Sequence, residues 1–310
     1  MSHAVTMESF EIGVILPGIA VQRRDGIDLG KAARHAEDAG LDGVWHGDHL
    51  AVGGPVLDVS IALATAAAAT GRVRIGTSVF VPAIRPVAWV AKQIATLQYV
   101  SRDRLVLGVG SGGGPAQWAA AGVPYGERGG RTDTALELLP RLLTGEETRL
   151  RDEPGEPVVE LAPAVAMPPV WVGNASGVAI RRAARLGDGW FPSLISPAEV
   201  AKGGARLAEL AVEHGRPVPV IAIGGAGALG AGPGLPSREE IASGIASAYG
   251  RPLEEVAEIP LTGHPEKAAE RLAAYCDAGA RHAVIGISGG DWRAQVDLLA
   301  EVRSLLRRST

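Results

Sequence analysis

One cysteine in 310 residues, Cys276, leaves no partner for an intrachain disulfide and suits a reducing compartment. It falls in AAERLAAYCDAGA, an amphipathic helical pattern, so the thiol reads as buried and inert. Lysine is scarce as well: Lys31, Lys92, Lys202 and Lys267 are 4 of the 30 basic residues. With abundant Ala and Gly, that bias resembles high-GC codon usage and carries no functional signal. No long basic run interrupts a small net charge of -4, so neither nucleic acid nor a membrane surface is expected as a partner. No window approaches the ~20 unbroken apolar residues of a membrane span. MSHAVTMESFE lacks the basic-then-apolar order of a signal peptide. Together these absences lead to the expectation of a soluble, cytoplasmic protein.

What is present is apolar sequence in short, regularly spaced runs. Hydrophobic residues make up 46% of the chain, ample for a sizeable core. Strands are expected at 11–16, 43–46, 73–79, 104–110, 170–173, 189–191, 218–223 and 283–287. Helices are expected at 28–39, 56–70, 86–100, 128–143, 177–186, 197–213, 265–278 and 292–307. Eight strand–helix units in one chain of this length favour a closed (β/α)8 TIM barrel over an open doubly wound sheet. Strands apolar on both faces agree with helices outside and side chains filling the interior. Pro86, Pro197 and Pro265 fall where a first helical turn has no use for an N–H. Gly40, Gly71 and Gly279 fall where helices end and a left-handed residue is wanted.

The rhythm breaks twice, predicting insertions after the fourth and seventh strands of one domain spanning 1–310. Residues 148–169 read as a long connection with a short hairpin. Residues 224–263 open with GGAGALGAGPGLP and continue with helices at 237–249 and 252–257. Insertions of this kind in barrels act as lids or substrate walls, and the glycine-rich start reads as mobile without ligand.

Catalytic groups of such barrels sit where strands end and βα loops begin, which selects four segments. After the second strand stand His46, Asp48 and His49. These are metal-ligand types, although no second ligand-rich cluster appears at another strand end. They also suit a capped structural turn, or a proton-transfer histidine, His49, oriented by Asp48. After the third strand comes GTSVFVP, with Ser78 and Val79. After the fourth, GVGSGG matches the dinucleotide pattern G-x-G-x-x-G only formally. It follows a middle strand, Pro115 comes close behind, and no strand ending in an acidic residue follows. Gly110, Ser111 and Gly112 instead suit close approach of a flat ligand to backbone. After the fifth strand, Gly173, Asn174, Ala175 and Ser176 run directly into a helix. That arrangement fits either an anion at the helix N-terminus or simple N-capping by Ser176.

Several blocks in the right order resemble one family. AEDAGLDGVWHGDHL, RIGTSVFVPAIRPVAWVAKQIATLQYVSRDRLVLGVG, PYGERGGRTDTALELLPRLLTG and PPVWVGNASGVAIRRAARLGDGWFPS are similar to luciferase-like flavin and deazaflavin oxidoreductases. The resemblance runs through most of residues 12–192 and resumes weakly from 263. It implies a cofactor, coenzyme F420 or alternatively FMN, and favours phosphate binding at Gly173, Asn174, Ala175 and Ser176. GTSVFVP resembles the deazaflavin branch, where a non-prolyl cis peptide, here Ser78–Val79, makes a bulge that backs the ring. The same branch carries over Asp48 and His49 as cofactor contacts, with His49 as proton donor.

One departure stands out. The sugar-phosphate dehydrogenases of that branch have a glutamate acid where this chain has Gly112, Gly113 and Gly114. The acid is then expected to be His49 or to come from the insertion, and a sugar phosphate is not the expected substrate. The expected reaction is hydride exchange between C5 of the deazaflavin and a small organic substrate. The alternatives are an FMN-dependent monooxygenase fed by a separate flavin reductase and, in another class, a barrel that kept the fold without the cofactor. A homodimer is implied by the resemblance alone.

Overall fold

The computed structural model describes residues 10–232 and 234–308. Chain order begins β1 (Glu11–Ile15), α1 (Ile19–Asp25), α2 (Leu29–Asp38), β2 (Gly43–His46), α3 (Val59–Ala69), β3 (Arg74–Thr77), α4 (Val87–Ser101) and β4 (Leu105–Val109). Next come α5 (Pro115–Ala120), α6 (Arg128–Leu143), β5 (Thr148–Arg149), β6 (Val158–Val159), β7 (Val170–Gly173), α7 (Gly177–Leu186), β8 (Gly189–Phe191) and α8 (Pro197–Glu213). The last part holds β9 (Val220–Leu229), α9 (Arg238–Tyr249), α10 (Leu253–Val256), β10 (Leu261–Gly263), α11 (Pro265–Asp277), β11 (His282–Ile287) and α12 (Trp292–Arg308). Strands β1, β2, β3, β4, β7, β8, β9 and β11 pair in parallel, and β8 pairing with β9 closes the ring. The fold is the expected (β/α)8 barrel.

Aromatic rings and missing Cβ atoms decide how the barrel interior fills. Trp45, Trp171, Phe191, Val106, Ala222 and Val284 form an inner cluster, with Trp45 and Trp171 stacked at 5.2 Å between centroids. These rings lie against glycine backbone. A Cβ on Gly76 would stand 2.1 Å from Trp45, one on Gly13 2.4 Å from Trp45, and one on Gly189 2.4 Å from Trp171. The plug occupies the middle of the barrel, and below it His282, Glu11 and Arg74 form an ion-paired group at the N-terminal end. His282 thus lies on the face opposite the catalytic loops, as its position at a strand start implies.

Local punctuation follows the chemistry of single residues. Asp28, Asp58, Ser196 and Ser237 cap α2, α3, α8 and α9, the last two with reciprocal capping boxes to Glu199 and Glu240. Capping by Asp58 starts α3 at Val59, short of the expected residue 56. Pro197 and Pro265 occupy first helical turns, whereas Pro86 is the residue before α4. Gly40 and Gly279 take positive φ, but Gly71 does not. There Thr70 ends α3 in extended backbone, and the Gly71 N–H is held by the Glu37 carboxylate. Cys276 is buried in α11, and burial pushes its thiol pKa up, as an inert thiol requires.

Both insertions are present. The first holds the antiparallel β5–β6 hairpin, and α6 is the expected helix at 128–143; α5 and, earlier in the chain, α1 were not legible in the periodicity. The second corrects one expectation, because its glycine-rich start is strand rather than mobile chain. β9 runs on to Leu229, with β11 on one side and β10, beyond the end of β8, on the other. Glycine permits that approach: a Cβ on Gly227 would lie 2.2 Å from the Leu261 carbonyl oxygen. The expected helices of this insertion are α9 and α10.

Candidate active site

A cavity of about 440 Å³ opens at the C-terminal ends of the barrel strands, above the aromatic plug. Ile15 and Leu16 from the end of β1, His46 from β2, Ser78 after β3, Ser193 after β8 and Gly224–Ala226 of β9 contribute its walls. Ile19 of α1 and Ile245 and Tyr249 of α9 close its sides, so the second insertion does form a wall. Its volume lies within the ~300–1,000 Å³ of small-molecule sites. Of the residues singled out in the sequence, His46, His49 and Ser78 line it directly.

The wall beside Ser78 is a bulge. Gly76 pairs with Val106 and Phe80 with Val109, so residues 77–79 stand opposite only 107 and 108. The Ser78–Val79 peptide is cis. The Ser78 N–H donates to His46 O and the Phe80 N–H to Gly108 O, closing the bulge against both neighbouring strands. Gly108 is demanded by this shape, because a Cβ there would lie 2.0 Å from Thr77 O. The Val79 side chain lodges between the ends of β4 and β7: Cβ atoms on Gly110 and Gly173 would stand 2.6 and 2.9 Å from its methyl groups. Those two glycines therefore make room for Val79. Gly112 has positive φ and faces Val81 and Trp118, and Ser111 beside it is half-buried.

Asp48 braces the same bulge from the other side. Its buried carboxylate accepts two bonds from Arg85, at 2.7 and 2.8 Å, and one from the Val81 N–H at 2.9 Å. Both oxygens are thereby engaged by the loop after β3, and Asp48 makes no hydrogen bond to His49. The Arg-Pro legible in the sequence at Arg85 and Pro86 thus supplies the partner of Asp48. Gln117 of α5 performs a related task, accepting from the Leu50 N–H and donating to Gly113 O. It ties the loops after β2 and β4 together.

Two imidazoles remain for chemistry. His49 is exposed at the rim with no hydrogen-bond partner among the described residues, its Nε2 lying 3.3 Å from where a Cβ on Gly47 would be. His46 is half-buried in the cavity wall, with Nδ1 2.8 Å from Gly47 O. Burial pushes the His46 pKa below its ordinary value, and the nearby His49 charge acts in the same direction. The Gly47 carbonyl, Asp48 and Asp58 act against them. Among the described residues no group of three His, Cys, Asp or Glu is arranged to hold a metal.

At the end of β7, Asn174 takes a positive φ of 88° and its Oδ1 accepts from the Ser176 N–H. Its carbonyl accepts from Trp190 Nε1. Ser176 caps α7 through the Ala179 N–H. Asn174, Ala175 and Ser176 are exposed, and the N–H groups of Gly177 and Val178 in the first turn have no intrahelical acceptor. Capping by Ser176 is thus present, and it leaves these first-turn N–H groups open. This segment lies outside the cavity wall, one strand beyond the bulge. Ser193 as a cavity residue was missed, and Gly224 and Tyr249 were expected only as part of the second insertion.

Barrel, bulge and strand-end histidines define a class, and the chain belongs to the luciferase-like monooxygenase family, whose profile matches residues 17–233. An uncharacterised protein of Mycobacterium tuberculosis (strain ATCC 25618 / H37Rv) is 35% identical over 169 residues, covering 54% of this chain and 58% of its own. An F420-dependent glucose-6-phosphate dehydrogenase of Amycolatopsis mediterranei is 31% identical over 216 residues, covering 60% and 61%. The chain thus spans about three fifths of the length of the curated relatives it matches. Among solved structures, an F420-dependent secondary alcohol dehydrogenase superposes with a TM-score of 0.78 at 17% identity, covering 94% of this chain and 98% of that one. Monooxygenase RslO1 from Streptomyces bottropensis superposes at 0.76 and 21% identity, covering 97% and 100%. At these identities the superpositions establish the shared fold.

Proposed function

We propose that this protein is an oxidoreductase that holds a flavin-type cofactor, in its deazaflavin form F420, in the barrel-mouth cavity and acts on a small organic substrate. The observation that carries the reading is the cavity wall itself. Aliphatic side chains and bare glycine backbone at Gly224, Gly225 and Gly286 offer a flat apolar seat, and the polar side chains in it are His46, His49, Ser78, Ser193 and Tyr249. That wall fits a planar ring with a few polar edge atoms. Ser78 in the bulge would back the ring, and the open end of α7 at Ser176 would take a phosphate.

When bound, a deazaflavin supplies hydride exchange at one ring carbon. The chain's own part is to orient both reactants, to exclude water by the walls of α1 and α9, and to move a proton with a cavity histidine. Preference for F420 is supported by relatives from Amycolatopsis mediterranei, Beutenbergia cavernae and Kineococcus radiotolerans, 31–34% identical and each described as an F420-dependent glucose-6-phosphate dehydrogenase. A second reading, an FMN-dependent monooxygenase supplied by a separate reductase, is supported by a 4-hydroxyprotoasukamycin monooxygenase of Streptomyces nodosus, 32% identical over 139 residues. Titration of the purified protein with F420 and with FMN, each oxidised and reduced, separates them. Saturable binding of F420 at lower concentration than FMN is expected. Binding and oxygen-dependent turnover with FMN alone would overturn the F420 assignment.

A further inference from the structure

We propose that the loop after β2, residues 50–57, is a lid that closes over a ligand in the barrel-mouth cavity, and that the second insertion is a fixed wall. The proposal rests on reading that cavity as the seat of a flavin-type cofactor.

The loop reads LAVGGPVL and carries no charged residue. Leu50 is 51% exposed, Val52 48% and Val56 39%. Apolar area left in water costs about 25 cal/mol per Å², and such side chains clustered in one short loop mark a surface that something covers. What covers it follows from the loop's second half. Pro55, Val56 and Leu57 already line the cavity, so the exposed apolar stretch is continuous with the cavity wall.

The backbone permits closure. From Ala51 to Leu57 no hydrogen bond is formed among the described residues, so moving this stretch breaks none. Gly53 takes a φ of 76°, and a Cβ on Gly53 or Gly54 would meet nothing within 4 Å. The middle of the loop therefore stands clear of the barrel. Both ends are pinned. The Leu50 N–H donates to Gln117 Oε1 at 3.2 Å, and Asp58 accepts from the Ile61 N–H at 3.0 Å as the cap of α3. A strap held at two points can move about its glycines.

The second insertion lacks that freedom. Ile241, Ala242 and Ile245 of α9 pack with Leu194, Ala228 and Val256 in a core of their own. Arg251, just after α9, donates to Leu194 O, and Arg238 pairs with Glu258 at 2.7 Å. Swinging α9 away would open that core, whereas residues 51–54, all exposed, have no such packing to lose.

Spin labelling separates the two elements. One nitroxide is placed on Ala51→Cys, the native Cys276 being buried, and a control on Ser243→Cys of α9. F420, or FMN if that alone binds, is added, with occupancy followed by equilibrium dialysis. At saturation the label at 51 is expected to lose mobility and access to an aqueous relaxing agent, with the label at 243 unchanged. An unchanged spectrum at 51, or a change at 243 alone, overturns the lid. So does a label at 51 that is immobilised without ligand and freed on dilution, which would assign the loop to contact between two copies. Val52→Ser should raise the Kd of the bound cofactor by about 3–10-fold without altering urea unfolding, and an unchanged Kd overturns contact between loop and ligand. Failure to bind either F420 or FMN would defeat the cofactor reading of the cavity and the lid with it, whereas binding without immobilisation defeats the lid alone.

Discussion

Asp48 has both carboxylate oxygens committed to Arg85 and the Val81 N–H, so its first effect is on the shape of the loop that carries the bulge. Removing it would leave a largely buried guanidinium and a buried N–H without their acceptor. Asp48→Ala is expected to lower stability in urea unfolding by about 3–5 kcal/mol. A loss near zero would show that the loop holds itself. At the same scale, the lowered pKa of His46 links proton uptake to folding. The unfolded chain protonates at the ordinary value, 6.5, and the folded chain only below it. His46 therefore favours the folded state above 6.5, and that contribution is lost as pH falls through 6.5 towards the lowered value. Asp48, His49 and Ser78 were legible because they sit at strand ends beside recognisable motifs. The partner of Asp48, Arg85, lies 37 residues away, and such a pairing has no local signature.

Between elements, Glu37 joins the end of α2 to the start of β3. Its carboxylate accepts from the N–H groups of Gly71, Arg72 and Val73. Burial pushes this carboxyl up, but the bonds from Val73, Arg72 and Gly71 outweigh it and hold the pKa below the ordinary 4.5. Stability from Glu37 is then fully present above 4.5 and is lost as pH falls below it. Glu37→Ala is expected to cost about 1–3 kcal/mol at neutral pH and to flatten the stability profile between neutrality and acid. An unchanged profile in chemical denaturation from pH 7 to 3 would refute the assignment. The same scale explains β9. Its glycine run has the composition of a loop, yet two flanking strands supply the hydrogen bonds that turn it into strand, and those partners lie far along the chain.

For the whole molecule, barrel closure depends on rings fitted against glycines. Trp45 packs where Gly76 and Gly13 lack side chains, and Trp171 where Gly189 does. A methyl group on Gly76 would meet the buried Trp45 ring at 2.1 Å, with Trp171 stacked behind it. Gly76→Ala is accordingly expected to destabilise the barrel by about 1–3 kcal/mol, a typical cost of overpacking. Near-ultraviolet circular dichroism and thermal unfolding would detect the shift, and a wild-type melting temperature would refute the close fit. Fold class, strand order and both insertion points were readable because hydrophobic periodicity and helix capping are local properties that a few consecutive residues carry. Which side chains face one cavity was decided by closure. It set Ser193, Gly224 and Tyr249 beside His46, lodged Val79 between Gly110 and Gly173, and engaged Asp48 with Arg85, because each of these arrangements depends on distances between residues remote in the chain.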